Sequence, residues 1–511
     1  MSELLNILIE NGIRYTVGKS GAITVPVDLR VTSTDITSLP DNLSVGGSLD
    51  LSDSILTILP DGLHVGGSLY LNGSAISSLP TSLRVNHSLY LNGTMISTLP
   101  ENLIVGHSLD LGGTRITDLS DNLCVGGSLN LSTTRITALP RGLRVGGDLN
   151  LYGTDITVLP DDLSVEGSVE LGMSGITFLP DNLSIGKDLS LVGTRMTALP
   201  DHLSVGGSLY LGDSGIAALP DNLHVGCHLD LNGTPIAILP DNLSVEGWFD
   251  LRCTNITALP DNLSVGGSLF LDGAAITALP DSLRVGHGLH LSGATINVLP
   301  DNLSLGGWLC LGGSDITALP DNLHVKSGMD LSCTRITALP DGIRVDGPVD
   351  LRDTRITALP ENFHVNGWLD LSDSDIETLP NDFIVNGSLD LSGSRINSLP
   401  DNLYVDGWLD VRGTGITELP DSLRVGGGLY LDVTRIGNIA YRENGDHPGG
   451  VIFAAWTEGC FKIAAGKFFG TLDDFDKTTN QKYARDTAES HQEMARNCLN
   501  ELAAKLNQVV N

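Results

Sequence analysis

Large side chains are scarce in this sequence. Aromatic residues are 5% of its 511 residues, too few to fill a wide globular core, while 60 glycines and 23 prolines suit many short strands and turns. Long apolar runs are also missing, and no segment approaches the ~20 residues needed to cross a bilayer as a helix. Basic residues are few: 29 against 61 acidic ones, a formal net charge of -32. That imbalance repels phosphate backbones and anionic membrane surfaces, so nucleic acid is not an expected partner. The seven cysteines are odd in number, scattered and without a CxxC pair, which excludes a disulfide framework or zinc site of the usual spacing. The start, Met1-Ser2-Glu3-Leu4-Leu5, carries acid where a secretory signal carries base. A cytoplasmic protein is expected, with delivery into a host cell by a non-classical route left open. Gly-rich phosphate loops, HExxH, GxSxG and dinucleotide fingerprints are absent too. No enzyme, cofactor, metal or small-molecule substrate is therefore expected. Against disorder stands the 41% hydrophobic content.

What the sequence does contain is one pattern, repeated. Leu-Pro falls at 39–40, 59–60, 79–80 and 99–100, then at 139–140 and every twentieth residue to 419–420, with one lapse at Leu119-Ser120. In the copy at residues 261–280, Leu269 and Leu271 alternate with Ser268, Phe270 and Asp272, the period of a half-buried strand. Ile276 and Leu279 continue inward beyond a turn, Pro280 stops further pairing, and Leu263 and Val265 return apolar groups to the interior. Gly266-Gly267 allows the corner before the strand. One such unit cannot bury six apolar side chains alone, whereas stacked units can, with their strands paired in parallel.

Leu-x-Leu-x-x-Thr-x-Ile-x-x-Leu-Pro, as it stands at residues 129–140 and 149–160, resembles the leucine-rich-repeat signature. Its length and Leu-Pro resemble the short bacterial class found in type III-secreted effectors, and the pattern is also similar to repeat proteins of bacteriophages and prophages. The resemblance implies a horseshoe- or arc-like solenoid of short parallel strands, with an extended convex side and helices mainly at the ends. A right-handed β-helix is the alternative fold, favoured by three strands per coil and flat faces. The sequence departs from the effector class in two places. A hydroxyl residue replaces the usual Asn, as at Thr94, Thr114, Thr134, Thr154, Thr194, Ser214 and Thr234, with gaps at Ala274 and Ala294; and Asp-Asn-Leu stands where a second Leu-Pro is expected. The hydroxyl column is read as structural, bonding to nearby backbone.

Three parts are expected: an N-terminal cap at 1–20, repeats at 21–440, and an α/β cap or small partner-binding module at 441–511. Ser2 is placed to cap a short helix carrying Leu4, Leu5, Leu8 and Ile9, and Ile13, Tyr15 and Val17 alternate like a strand. In the tail, 441–450 reads as a loop, 451–456 and 460–463 as paired strands, and Thr471-x-x-Asp474 as a variant capping box. A last helix begins near Arg485, with Met494, Cys498, Leu502 and Leu506 on one face. Cys460, with His447 and His491 nearby in sequence, is a conceivable nucleophile pair, but a packed structural cysteine is the stronger expectation.

The functional signal lies on the strand face. With the leucines pointing in, the residue between them points out: Asp330, Asp350, Asp370, Asp390 and Asp410, then Tyr430. The place before the first leucine is often Ser but becomes Trp at Trp248, Trp308, Trp368 and Trp408, four of the five tryptophans. Strands at ~4.8 Å put Trp308 and Trp368 ~15 Å apart and Trp368 and Trp408 ~10 Å apart, a spread that suits a macromolecule. Neighbouring aspartates repel, a cost that a basic segment or cations would relieve. The plainer alternative is that these acids are merely solvated and the tryptophans fold over glycine-lined gaps. The expectation is a non-catalytic scaffold binding a protein with a basic patch through the concave face of its C-terminal half. Glycan or polymer binding on the tryptophans, as in an adhesin, and an effector or enzyme activity in the tail are the alternatives.

Overall fold

The computed structural model describes residues 3–31, 36–101, 103–121, 123–181, 183–241, 243–301, 303–443 and 450–506. It comprises two compact units, Met1–Asn255 and Ile256–Asn511. Each is a solenoid of the leucine-rich-repeat kind, in which parallel two-residue strands stack with a step of twenty residues. In the first unit the ladder runs from Leu29–Arg30 to Phe249–Asp250, pairing Leu49 with Leu69 and Leu109 with Leu129. In the second it runs from Leu269–Phe270 to Leu429–Tyr430. Backbone bonds of ordinary length join successive coils, such as Leu49 N–H to Ser68 O at 2.9 Å and Leu51 N–H to Tyr70 O at 2.8 Å.

The six apolar places of a coil form one column of side chains. Leu43, Val45, Leu49, Leu51 and Leu56 are fully buried and Leu59 nearly so. Each buried aliphatic side chain contributes about 1.5–3 kcal/mol, so the column offsets the ordering of its coils only when they stack. The extended side expected between Leu-Pro and the glycines is itself a second parallel ladder, for example Ser44–Val45 on His64–Val65. The third side makes only isolated bridges, as between Ile58 and Ser78. One continuous ladder, a second broken into several sheets, and no third ladder among the described residues separate this architecture from the β-helix alternative.

Turn chemistry explains the invariant-looking places within the repeat. The hydroxyl after each first strand folds back onto the strand: Thr94 Oγ1 donates to Leu91 O at 2.8 Å, Thr134 to Leu131 at 2.6 Å and Thr354 to Leu351 at 2.7 Å. Threonine is held to few χ1 rotamers, whereas serine in this column is divided. Ser374 and Ser394 bond their carbonyls, but Ser54, Ser74, Ser214 and Ser314 are buried with no partner for Oγ among the described residues. At the single lapse of Leu-Pro, Leu123 N–H still donates to Ser120 O at 3.1 Å, as Leu103 does to Pro100 at 3.2 Å. Proline there restricts the chain and is not needed for the bond. Close coil-to-coil approach accounts for glycine at Gly66, where a Cβ would lie 2.4 Å from Gly46 O.

Helix α1, Glu3–Glu10, buries Leu4 and Leu8, leaves Ile9 54% exposed, and accepts the Thr37 N–H on Glu3 Oε2 at 2.7 Å. The strand that follows is only Thr16–Val17, paired antiparallel with Ile23 and Thr24, and Val17 is exposed. Ser2 and His447 lie outside the described residues. In the tail, part of the expected loop is strand: Ile439–Glu443 pairs antiparallel with Val451–Thr457, which pairs with Cys460–Ala465 and then Phe468–Gly470. Helix α2, Leu472–Lys482, is capped by Thr471, whose hydroxyl accepts the Asp474 N–H. Helix α3, Arg485–Leu506, buries Cys498, Leu499 and Leu502 against Ile452, Ala454 and Ile463.

The hydroxyl column yields a test. Thr154, 2% exposed, donates to Leu151 O at 2.8 Å. Thr154→Val keeps the shape and removes the donor, so denaturant unfolding should show a loss of about 1 kcal/mol. An unchanged midpoint would show that the hydroxyl is dispensable.

Candidate functional site

The first ladder places one residue per coil on each of two outward columns. The column between the leucines has a local duty that sequence reasoning missed: its side chain accepts the backbone N–H two residues on. Asp50 accepts from Ser52 at 3.0 Å, Asn130 from Ser132 at 3.0 Å, Asn150 from Tyr152 at 3.0 Å and Asp390 from Ser392 at 2.9 Å. This favours Asp and Asn there before any partner is considered.

The aspartates of the second unit are further covered from within. Asp350 and Asp410 are 6% and 3% exposed, each beneath an arginine two residues along. Arg352 Nε lies 3.0 Å from both Asp350 oxygens and its Nη2 2.7 Å from Oδ2; Arg412 holds Asp410 in the same bidentate way. Asp250 and Arg252 repeat the arrangement in the first unit. Asp330, Asp370 and Asp390 instead receive the hydroxyls of Ser332, Ser372 and Ser392 at 2.6–2.7 Å. The signal was present as Asp-Leu-Arg, Asp-Val-Arg and Asp-Leu-Ser, since i and i+2 share a strand face. Repulsion along the ribbon is thus partly relieved without a partner. It is not removed: burial pushes the Asp370 carboxyl above its ordinary value, Ser372 opposes this, and Asp390 and Asp350 add to it.

The column before the first leucine carries a second local device. Its side chain accepts the N–H of the same place one coil on: Ser48 from Ser68 at 3.1 Å, Ser108 from Ser128 at 3.1 Å, Asp148 from Ser168 at 2.9 Å and His228 Nδ1 from Trp248 at 3.0 Å. Tryptophan, glycine and proline cannot accept in this way, so Trp308, Gly328, Pro348 and Trp368 give up the ladder. The indoles lie outside the aliphatic column. Trp308, Trp368 and Trp408 are 37%, 41% and 39% exposed, and Trp248 is half-buried.

Their surroundings differ. Trp248 stacks on His228 at 4.8 Å and faces Tyr210 at 6.1 Å. Trp308 folds over the next coil, where a Cβ on Gly328 would meet its ring at 2.4 Å. Trp408 packs edge-on against Tyr430 at 6.3 Å, and Arg412 covers the tyrosine ring at 5.5 Å. Trp368 and Trp408 line one cavity, together with Asp370, Ser388 and Asp390. Of the expected binding residues the structure therefore brings Trp368, Trp408, Asp350, Asp370 and Asp390 together. Trp308, Asp330, Asp410 and Tyr430 lie on the same ladder outside that cavity, and Trp248 belongs to the first unit.

In the tail, Cys460 is half-buried and pairs with Thr457 across a hairpin. His491 is 4% exposed and meets the Tyr483 ring edge-on at 5.0 Å. The packed cysteine is Cys498, whose thiol donates to Ile452 O at 3.6 Å and is pushed up to about 11 by burial. Among the described residues no group of His, Cys, Asp and Glu is arranged to hold a metal ion, and no helix is long and apolar enough to cross a membrane.

No protein-family model matches the chain, and no curated protein does. Among solved structures it is similar to YopM from Yersinia enterocolitica WA-314, at 22% identity and a TM-score of 0.47, over 79% of this chain and 91% of that one. It is also similar to YopM, a leucine-rich effector protein from Yersinia pestis, at 15% identity and a TM-score of 0.22, over 76% and 89% of the two chains. The fold assignment stands on this chain's own strand register.

Two outcomes follow from the acid column. Arg352→Met strips the cover from the nearly buried Asp350, but Arg352 is itself 53% exposed and solvent screens the pair. The loss of unfolding free energy should be about 1 kcal/mol, recovered by adding Asp350→Asn, because Asn130 and Asn150 already fill this place. Failure of the double variant to recover would assign the loss to packing. For Asp370 the folded chain binds a proton more readily than the unfolded one, so stability falls as pH rises above the ordinary carboxylate value of 3.8. Asp370→Asn should raise the melting temperature at pH 7 and lose that advantage near pH 4. An equal gain at both would show that ionisation is not the cause.

Proposed function

We propose that the chain is a non-catalytic scaffold that binds another protein through the first-ladder face of its second unit, from Trp308 to Tyr430, and that the partner presents a basic patch. The observation that carries this reading is the trio of exposed indoles on that face. Serine at the same place gains a coil-to-coil hydrogen bond, and the core column is complete without the indoles, so neither fold nor core calls for them. Tryptophan beside charged groups is the composition of an interface hot spot. A net charge of -32 attracts a basic partner over distances at which the indoles have no effect.

The test replaces Trp308, Trp368 and Trp408 together by alanine in the full chain. Affinity capture from the source cell should recover a protein on the wild type and lose it on the variant, with both baits melting at the same temperature. Equal recovery on both would reject this face. Recovery of a glycan and no protein would favour the alternative in which the spaced indoles are stacking platforms, and activity abolished by Cys460→Ala would move the function to the tail.

A further inference from the structure

Trp368 and Trp408 stand two coils apart, and the intervening coil has only Ser388 at that place, its hydroxyl turned to the Trp408 N–H at 3.2 Å. The short side chain leaves a cavity of about 370 Å³ with an indole at either end. Its other charged neighbours are Asp350, Arg352, Asp370 and Asp390: three carboxylates and one guanidinium, a net of -2. Arg352 is already engaged by Asp350 and reaches Asp370 Oδ2 at 3.5 Å. Asp390 Oδ1 accepts both the N–H and the hydroxyl of Ser392, and among the described residues its Oδ2 takes no donor. The slot is therefore aromatic at its ends and anionic at its floor.

Width narrows the choice of cation. The backbone positions of the two tryptophans are two ladder steps, ~10 Å, apart, so a charge midway between rings standing out from those positions lies ~5 Å from each, inside the ~6 Å reach of a cation–π contact. A planar guanidinium stacked at ~3.5–4.0 Å on one indole would lie ~6–6.5 Å from the other, at or beyond that reach. A tetrahedral ammonium with its terminal methylenes fills the space between them. The other indoles of the face offer no such gap, since Trp308 is folded onto Gly328.

We infer that this slot receives the ammonium end of a lysine side chain carried by the protein partner. The source of the lysine rests on the scaffold reading above, while the chemistry belongs to the slot. An ammonium there also relieves the crowding of Asp350, Asp370 and Asp390, which their own serines and Arg352 relieve only in part.

The experiment uses the full chain with its five tryptophans replaced by 5-fluorotryptophan, resonances being assigned from Trp368→Phe and Trp408→Phe. The probes are the N-acetyl methylamides of lysine, arginine and norleucine, with choline as a free quaternary amine. Lysine should shift the Trp368 and Trp408 resonances saturably, and norleucine should bind about tenfold more weakly for want of charge. Asp390→Asn should weaken lysine binding severalfold without lowering the melting temperature, since it also eases the crowding of Asp370. No shift, equal binding of norleucine, or arginine binding as tightly as lysine overturns the inference; choline binding more than about tenfold tighter than lysine overturns its assignment to a protein side chain. A chain that captures its partner by the indole face but ignores the lysine probe loses the slot alone. One that binds lysine but captures no protein loses the scaffold reading alone.

Discussion

Everything in either unit depends on a backbone register of twenty residues. Parallel strands only two residues long have few bonds to give, so each coil is held by its next neighbours through contacts such as Leu51 N–H to Tyr70 O and Asp53 N–H to Asn72 O. An insertion inside a strand would turn that coil's following leucine away from the column unless the extra residue were bulged out in a turn. Because the coils share one period, a side chain at a given place meets the same place of the next coil. Chemistry chosen once can then be used along the whole ladder, and any departure from it stands out.

Three places carry such shared chemistry. The threonine column ties the turn to the strand, the acid column ties the strand to its own next turn, and the serine column ties one coil to another. Each satisfies a polar group beside the core, where an unmet bond costs about 1–3 kcal/mol. An aspartate or serine on this surface is thus explained by its own backbone. A tryptophan is not, and an arginine is explained only where it covers a buried aspartate. Sorting the surface in this way leaves the Trp368–Trp408 slot as the feature least accounted for by folding.

The architecture was legible because it is periodic. Leucine alternation, the Leu-Pro stop and the hydroxyl turn each recur many times, so one physical reading is checked by every copy. Single-copy features fared less evenly. Thr471 and Asp474 announce α2 through local capping chemistry, whereas the strand at Ile439–Glu443 depends on pairing with Val451–Thr457 across residues 444–449 and has no local signal beyond the loss of Leu-Pro. Strand alternation puts the aspartate column on the side away from the leucines, but it does not signal the burial of Asp350 and Asp410 under Arg352 and Arg412. A charge two residues away reads as another exposed group until the strand is known to carry both on one side. Trp308 over Gly328 fits the alternative in which tryptophans fold over glycine-lined gaps, but which indole does so depends on a contact between residues twenty apart.

The acid column also bears on how charge works at the proposed interface. Asp350 and Asp410 are nearly buried and held by arginines, so their charge is largely compensated within about 3 Å. Those pairs contribute little to the field beyond a Debye length of ~8 Å at physiological ionic strength. The long-range pull on a basic partner must come from the many uncompensated acids of the other turns, spread over the coils. That pull is sensitive to salt and indifferent to sequence. The slot is the reverse: two indoles and a pair of half-covered carboxylates select a shape at contact range. Rate of encounter and choice of partner would then rest on different residues, and raising the ionic strength should slow association far more than it speeds dissociation.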